Sequence, residues 1–279
     1  MVELIFDKAT LKRVRSNYSR DQVGFVPTMG NLHLGHLSLM SIASENSDVL
    51  FVSIFVNPTQ FSPGEDYESY PRTLNEDIEK IKSLGLSIPV YVFAPTTPKE
   101  VYPSIFNTSF NIKSLERNLC GFNRPGHFTG VLSVIFHLFS LIKPAHAVFG
   151  QKDYQQYLVI KKFCQDMFPD TRIIKAPIIR EKTGLAMSSR NNYLSEKEKE
   201  VALTLQKTLK FISDQIQSKK AFNLKELSTD HEIIKWDYLE VLDADNLNQP
   251  NEKSSNLLIA GALHINDRVR IIDNLIVGK

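Results

Sequence analysis

The sequence predicts an α/β protein in which a parallel sheet carries helices on both faces, followed by a smaller C-terminal α+β domain. Apolar, strand-like runs alternate with segments of helical spacing through the first two-thirds of the chain. The runs are almost continuously apolar, as expected of strands buried on both faces. After about residue 182 the order changes to helices followed by strands. We therefore predict a Rossmann-like domain over residues 1–182 and a small lid domain over 183–279.

The elements of the first domain follow from this alternation. The five apolar runs that we predict to be strands are residues 23–28, 49–56, 88–94, 145–150 and 172–179. The segments of helical spacing between them are residues 34–45, 74–84, 131–141 and 154–167. Right-handed crossovers place every strand-to-helix loop at the carboxyl edge of the sheet, where ligands of such sheets bind. We therefore expect functional residues in those loops.

In the second domain, a lysine- and glutamate-rich stretch predicts a long helix over 194–219. Ser195 is a suitable N-cap, and Glu198 three residues later completes a capping box. A second helix is predicted over 224–234. The strands predicted after it are residues 236–242, 256–262 and 268–272.

Composition and charge exclude several classes of protein. The chain has 279 residues, of which 42% are hydrophobic and 23% charged, so it is neither disordered nor fibrous. Its 33 Lys and Arg against 31 Asp and Glu create no overall field for nucleic acid or an anionic membrane. Two cysteines cannot form a disulfide framework, and the longest apolar stretch, 131–142, is too short to span a bilayer. Because the N-terminus is also unlike a signal peptide, we expect a cytoplasmic protein.

Two histidines follow the first predicted strand, in the segment PTMGNLHLGH. His33 and His36 are three residues apart, so they lie on one face of a helix that begins near His33. A helix N-terminus has unsatisfied N–H groups and a partial positive charge, which suit a phosphate. We interpret this loop as a phosphate site; two histidines satisfied within the core are the alternative.

Two amides follow the next strand, in the segment FVNPTQF. Pro58 ends the strand, and Asn57 and Gln60 then lie at the carboxyl edge of the sheet. An amide both donates and accepts hydrogen bonds, which suits a substrate with a hydroxyl and a carboxylate. Ordinary turn chemistry explains Asn57 equally well, but it does not explain Gln60.

Cations occur in two further loops. Arg124 precedes the helix predicted from residue 131 and can contact an anion, although an ordinary helix start is an equal alternative. Lys152 lies where a helix begins, an unfavourable place for a cation unless an anion binds there. Asp153 can cap that helix, hold a ribose hydroxyl or orient Lys152, and Gln156 lies one turn further on.

The last loop, MSSRN, lies at the predicted domain junction. Ser188, Ser189 and Arg190 can surround a polyphosphate with charge-assisted hydrogen bonds. A polar linker is the alternative. The position at a junction favours the first interpretation, because ligand sites occur preferentially between domains.

Together these segments resemble the HxGH nucleotidyl-transferring superfamily, which includes class I aminoacyl-tRNA synthetases. Within it, the chain is similar to the pantothenate synthetase family, whose blocks read here, in order, as PTMGNLHLGH, FVNPTQF, EDYESYPRT, RPGHFTGV, FGQKDYQQ and AMSSRN. These blocks cover residues 27–192, and the small domain adds weak support at 270–274. Leu34 inside HxGH and Gln151, where relatives often have Glu, depart from the pattern without removing a group that the chemistry needs.

The resemblance implies an ATP-dependent ligase that joins pantoate to β-alanine through a pantoyl-adenylate, with Mg²⁺, in a cytoplasmic homodimer. His36 is implied as the catalytic acid, and we expect His33, Lys152 and Arg190 to assist it by neutralising phosphate charge. The residues that the resemblance places around ATP are Met29, Gly30, Asn31, Leu32, His33, Leu34, Gly35, His36, Gly150, Gln151, Lys152, Asp153, Ile179, Met187, Ser188, Ser189 and Arg190. The residues expected to bind pantoate are Gln60 and Gln156 from the resemblance, and Asn57 and Arg124 from their loops.

Three other functions fit part of this pattern. A nucleotidyltransferase with a phosphorylated acceptor would share HLGH but would need cations where this chain has amides. A tRNA ligase would need a basic anticodon-binding extension, which a near-neutral chain of this length lacks. A nucleotide sensor without activity would gain nothing from the amide loop.

Overall fold

The computed structural model describes residues 1–62, 64–103 and 107–278, and its main feature is a six-stranded parallel sheet. The strands of this sheet are β1 (Val2–Ile5), β2 (Val23–Thr28), β3 (Val49–Ile54), β4 (Val90–Phe93), β5 (His146–Gly150) and β6 (Arg172–Ala176). They lie in the order β1-β4-β3-β2-β5-β6, and every neighbouring pair is parallel. The helices of this part of the chain are α1 (Lys8–Arg15), α2 (Leu34–Ser44), α3 (Leu74–Ser83), α4 (Leu119–Asn123), α5 (His127–Ile142) and α6 (Tyr154–Met167).

The C-terminal third of the chain forms a second, antiparallel sheet with strand order β7-β8-β9. Its elements are α7 (Glu196–Gln217), α8 (Leu224–Leu227), β7 (Ile234–Asp243), β8 (Asn256–Ile265) and β9 (Val269–Gly278). The predicted fold class, a parallel α/β sheet and a small α+β part, is therefore confirmed. Within the described residues, no helix combines the length and the apolar character needed to cross a membrane.

By its internal contacts the chain divides into two compact units. The first unit comprises residues 1–112, 124–150 and 159–177, and the second comprises 113–123, 151–158 and 178–279. These units differ from a single division after residue 182, because two short segments from earlier in the chain belong to the second unit. The domain boundary at 182 stays a prediction.

In the first unit, helices cover both faces of the parallel sheet. Neighbouring residues of a strand point to opposite faces. Val26 of β2 belongs to a buried cluster with Met40 of α2 and Ile81 of α3, whereas Phe25 packs edge-to-face on Phe139 of α5, with ring centroids 5.8 Å apart. Strand β2 is therefore buried on both sides, which explains why its sequence is continuously apolar.

In the second unit, the long helix α7 packs on the antiparallel sheet. Leu205 and Leu209 of α7 share a buried cluster with Ile259 and Leu263 of β8. The predicted capping box at the start of α7 is present: Ser195 caps the helix, and its own N–H donates to the Glu198 carboxylate at 2.8 Å.

Two predicted helices differ from the structure by more than a residue or two at one end. The helix predicted over 224–234 is wrong in extent, because α8 ends at Leu227 and the chain is in β7 from Ile234. The hydroxyls of Ser228 and Thr229 donate to the carbonyls of Leu224 and Glu226 at 2.8 and 3.0 Å, and such local bonds compete with helix continuation. Helix α5 begins at residue 127, earlier than the predicted 131. Strand β1 and helices α1 and α4 were not among the predicted elements.

Candidate active site

Helix α2 begins at the two histidines, and each of them caps it. The ring atom Nδ1 of His33 accepts the N–H of Gly35 at 3.1 Å, and Nδ1 of His36 accepts the N–H of His33 at 3.3 Å. The two rings lie 4.1 Å apart between centroids, and both are half-buried. A ring nitrogen that accepts a hydrogen bond carries no proton, so each neutral imidazole has its N–H at Nε2. Both histidines therefore present a donor, as an oxyanion ligand requires. Leu34, between them, is 60% exposed.

The loop before these histidines is held by a buried carboxylate of α3. Asp77, which is fully buried, accepts the N–H groups of Asn31 and Leu32 at 3.0 and 2.7 Å. Burial raises the pKa of Asp77 above its ordinary value, although these hydrogen bonds oppose the shift. Lys80, one turn later on α3, donates to the Leu32 carbonyl at 2.8 Å. Gly30 has a φ of +86°, a left-handed conformation that favours glycine.

The loop after β3 brings Gln60 beside this segment. Strands β2 and β3 are neighbours in register from Val23 and Val49 to their carboxyl ends, so the loops that follow leave the sheet side by side. The amide Nε2 of Gln60 lies 3.0 Å from the sulfur of Met29. The structure therefore brings together the HLGH loop and the predicted pantoate-binding amide.

Asn57 is 1% exposed and uses its whole amide within the protein. Its Nδ2 donates to Gln60 Oε1 at 3.1 Å and to the Gly130 carbonyl at 3.2 Å, and its Oδ1 accepts from the Tyr102 hydroxyl at 2.7 Å. Burial raises the pKa of Tyr102 to about 12, so this phenol stays a donor. Asn57 thus orients Gln60, and its direct contact with substrate stays a prediction.

Arg124 is engaged by a carboxylate of the same unit. Its guanidinium makes a bidentate pair with Glu65, at 2.7 and 2.6 Å, and also contacts His127 at 3.1 Å and the Gln60 carbonyl at 3.4 Å. Burial raises the pKa of Glu65, but Arg124 outweighs that effect, and the net pKa lies below its ordinary value. This geometry supports the Gln60 loop; a contact between Arg124 and substrate stays a prediction.

In the second unit, the predicted cation occupies a short 3₁₀ turn, Gln151–Asp153, immediately before α6. The Lys152 ammonium lies 3.7 Å from the carboxylate of Asp153, and its side chain is 20% exposed. The carbonyls of Gln151 and Lys152 accept hydrogen bonds from Asn274 of β9. Gln156, in the first turn of α6, is half-buried.

The MSSRN segment belongs to the same unit. Its turn is closed by Ser188, whose hydroxyl accepts the N–H of Arg190 at 3.3 Å. Residues 187–190 are all half-buried. The preceding loop is tied at its base, because the Met187 N–H donates to the Ile179 carbonyl at 2.9 Å. The segment is therefore held in a fixed turn, and its contact with phosphates stays a prediction.

Sequence reasoning missed the residues that hold these loops in place. They are Glu65, Asp77, Tyr102, Gly130, Asp273 and Asn274. Glu65 and Gly130 lie inside the family blocks EDYESYPRT and RPGHFTGV, and Asp273 and Asn274 lie in the weakly matching stretch 270–274. Asp77 and Tyr102 had no such signal. Their partners lie far away in sequence, so spacing could not reveal the contacts.

Comparison with known proteins agrees over nearly the full length of the chain. Residues 3–276 match the family model described as pantoate-beta-alanine ligase. A pantothenate synthetase from Thermodesulfovibrio yellowstonii is 45% identical, with 91% of each chain covered, and one from Thermosipho africanus is 42% identical, with 93% of each covered.

Solved structures give the same answer. A pantothenate synthetase from Thermus thermophilus superposes with a TM-score of 0.89 at 35% identity, covering 99% of both chains. A pantoate-beta-alanine ligase from Francisella tularensis, solved with an ATP ligand and β-alanine, has a TM-score of 0.77 at 32% identity, covering 99% of this chain and 97% of its own. The chain is a member of the pantoate–β-alanine ligase family.

Proposed function

We propose that the protein joins pantoate to β-alanine at the expense of ATP, forming pantothenate, AMP and pyrophosphate through a pantoyl-adenylate. The observation that carries this proposal is the pairing of two loops in the first unit. A histidine-capped helix start, suited to phosphate, lies beside Gln60, whose neutral amide is 3.0 Å from Met29. An amide beside a phosphate loop suits an acceptor with hydroxyl and carboxylate groups. A phosphorylated acceptor would need cations there.

The first step forms a bond between a pantoate carboxylate oxygen and the α-phosphorus of ATP, and it breaks the bond from that phosphorus to the pyrophosphate oxygen. Two anions must approach, so the protein has to neutralise charge and align the reactants. We assign this role to Nε2–H of His33 and His36, to the Lys152 ammonium and to Arg190. Donors that favour the crowded phosphoryl group over bound ATP accelerate this step.

The second step forms the amide bond. The neutral amine of β-alanine attacks the acyl carbon of the adenylate, and the bond from that carbon to the AMP oxygen breaks. The nitrogen loses a proton, and AMP leaves as a stable anion. Gln60 and Gln156 hold the pantoyl group in this proposal, so no side chain has to act as a nucleophile.

Magnesium fits this chemistry as a partner of the nucleotide. Mg²⁺ is usually held by substrate phosphates, waters and one or two carboxylates. Asp153 is the one carboxylate among the proposed ATP-binding residues, and no cluster of three or more potential ligands occurs in the part of the chain that the structure describes. The Asp153 carboxylate lies 3.7 Å from the Lys152 ammonium, so the ion would be held mainly by the phosphates and waters, where it would neutralise phosphate charge. The homodimer and the cytoplasmic location implied by the resemblance stay predictions.

Isotope exchange between pyrophosphate and ATP tests the proposal. Exchange that requires pantoate, and proceeds without β-alanine, is the expected result, because the adenylate forms in the first step alone. Exchange that instead requires a phosphorylated acceptor would identify a nucleotidyltransferase. ATP binding with no exchange under any acceptor would favour a sensor.

A further inference from the structure

We propose that Asp273 and Asn274, adjacent on β9, are positioning residues for the ATP-binding segments of the second unit; the inference rests on the function proposed above. Neither residue belongs to those segments. They lie in the one part of the small domain, residues 270–274, that gave any sequence signal. Both residues are buried: the side chain of Asp273 is 3% exposed, and Asn274 as a whole residue is 2% exposed.

Asn274 fixes the turn that carries Lys152. Its Nδ2 donates to the carbonyls of both Gln151 and Lys152, each at 2.9 Å, and its Oδ1 accepts from Nε2 of Gln151 at 3.3 Å. One amide therefore satisfies two successive backbone carbonyls and one side chain. An asparagine has the two donors and the acceptor that this requires, whereas a carboxylate would meet both carbonyls with the wrong polarity.

Asp273 fixes the loop between Ile179 and Met187. Its carboxylate makes a bidentate pair with Arg180, at 2.6 and 3.0 Å, and Arg180 also donates to the Gly184 carbonyl at 3.1 Å. The same carboxylate accepts the N–H of Asn274 at 2.8 Å, so the two side chains share one hydrogen-bond network. Two neighbouring residues thus hold the Lys152 turn and the loop that leads into MSSRN.

In this proposal, the contacts of Asn274 matter for the reaction rate as well as for the stability of the fold. A cation that stabilises a phosphoryl transition state has to be aligned closely, and a misplacement of about 1 Å can cost on the order of 100-fold in rate. Asn274 bonds the backbone of Lys152 itself, so its loss releases the residue whose ammonium must be aligned. Asn274 therefore acts through Lys152 and touches no substrate.

A double-mutant cycle tests this dependence. In the wild-type background, we expect Asn274→Ala to lower the turnover of pantoate-dependent pyrophosphate exchange on the order of 10- to 100-fold. In a Lys152→Ala background, we expect the same substitution to lower the remaining turnover by less than about 3-fold. If Asn274 had only a structural role, its substitution would lower turnover by the same factor in the wild-type and Lys152→Ala backgrounds, and that result would overturn the proposal. Wild-type turnover in folded Asn274→Ala would overturn it too. Asn256→Ala, at an exposed position on the neighbouring strand β8, is the matched control for removing an asparagine amide from the same sheet.

Two further readouts keep the outcomes distinct. Absence of pantoate-dependent exchange in the wild type would count against the proposed function. Near-normal turnover of Lys152→Ala, or an impaired Lys152→Ala beside an unimpaired Asn274→Ala, would count against this inference only. Circular dichroism and thermal unfolding establish that each variant is folded at the assay temperature. If Asn274→Ala does not fold, Asn274→Ser, which keeps one hydrogen-bond donor, takes its place in the same cycle and is judged by the same criteria.

Discussion

The N–H of His33 donates to Nδ1 of His36 at 3.3 Å, and the two imidazole rings lie 4.1 Å apart between their centroids. The bond has a chemical consequence. It places the proton of neutral His36 on Nε2, the ring atom that does not take part in capping. The fold therefore sets both the position of the ring and its tautomer, as a donor to a developing oxyanion requires.

Substituting His36→Ala tests this role. Removal of one electrostatic stabiliser typically costs on the order of 10²–10³ in turnover, and we expect a loss of that size in steady-state assays. The exposed His231 provides the matched control, because His231→Ala removes the same side chain away from the proposed site. Near-normal turnover of folded His36→Ala would remove this residue from catalysis.

A second prediction concerns Gly130, where the Gln60 loop meets helix α5. A Cβ added at Gly130 would lie 2.0 Å from the carbonyl oxygen of Thr59, so Gly130→Ala must displace the turn that carries Gln60. We expect a higher KM for pantoate with little change in the KM for ATP, and a loss of about 1–3 kcal/mol in stability from overpacking. Initial-rate kinetics and urea unfolding measure the two effects.

Gly278→Ala is the control for this substitution, since a Cβ at that position meets nothing within 4 Å. If Gly130→Ala raised the KM values for ATP and pantoate by the same factor, a specific effect on the Gln60 loop would be excluded. An unchanged pantoate KM would mean that Gln60 does not contact pantoate.

The comparison of strands shows what apolar patterning can predict. Strand β2 has the bounds predicted for it, Val23–Thr28, because a strand buried on both faces has a continuous apolar signature. Strand β1 was missed: it has four residues, and Glu3 interrupts its apolar run. This short strand lies at the sheet edge and is held by pairing with β4, which is far along the chain. The sequence around β1 therefore could not predict it.

The residues of the candidate site also fall into two groups, those that the sequence reveals and those that only the folded structure reveals. The residues that we propose to contact ligands stand in loops after predicted strands, so topology and chemistry could single out Gln60 and Lys152 as candidates. The residues that support them could not be identified in this way. Asp77 has the sequence position of an ordinary acidic residue near a helix start, and only its burial and its bonds to Asn31 and Leu32 reveal its role.

That role leads to a third prediction, for Asp77→Ala. The substitution leaves two buried N–H groups without their acceptor, which costs about 1–3 kcal/mol, and it loosens the loop before His33. Because burial raises the pKa of Asp77 above its ordinary 3.8, the folded protein binds this proton more tightly than the unfolded chain. The carboxyl's contribution to stability therefore falls as pH rises from 3.8 through the raised pKa.

Urea unfolding of wild type and Asp77→Ala across the acidic range measures how this contribution to stability depends on pH. The stability difference between the two proteins is expected to shrink as pH rises, while staying in favour of wild type because the hydrogen bonds persist. A difference that grew with pH would mean that the ionised form is the one the fold prefers. The exposed Asp170→Ala is the control for removal of an ordinary surface carboxylate.

The fourth prediction separates two roles for Arg124, which is either a ligand of the substrate or a support for Gln60. Glu65→Gln weakens the bidentate pair without removing the guanidinium. If Arg124 supports the Gln60 loop, both Glu65→Gln and Arg124→Ala raise the pantoate KM. If Arg124 binds substrate directly, only Arg124→Ala does so. We expect the first pattern, because Arg124 is bonded to Glu65 and to the Gln60 carbonyl.

The pH dependence of the same pair provides an independent check. The pKa of Glu65 is lowered in the folded protein, so its contribution to stability is fully present above its ordinary value of 4.5 and is lost as pH falls through the lowered pKa. Wild type is therefore expected to lose more stability over that acidic interval than Glu65→Gln, which has no proton to gain there. Equal acid sensitivity of the two proteins would show that the pKa of Glu65 is not lowered in the folded protein, and hence that the ion pair with Arg124 does not form in solution.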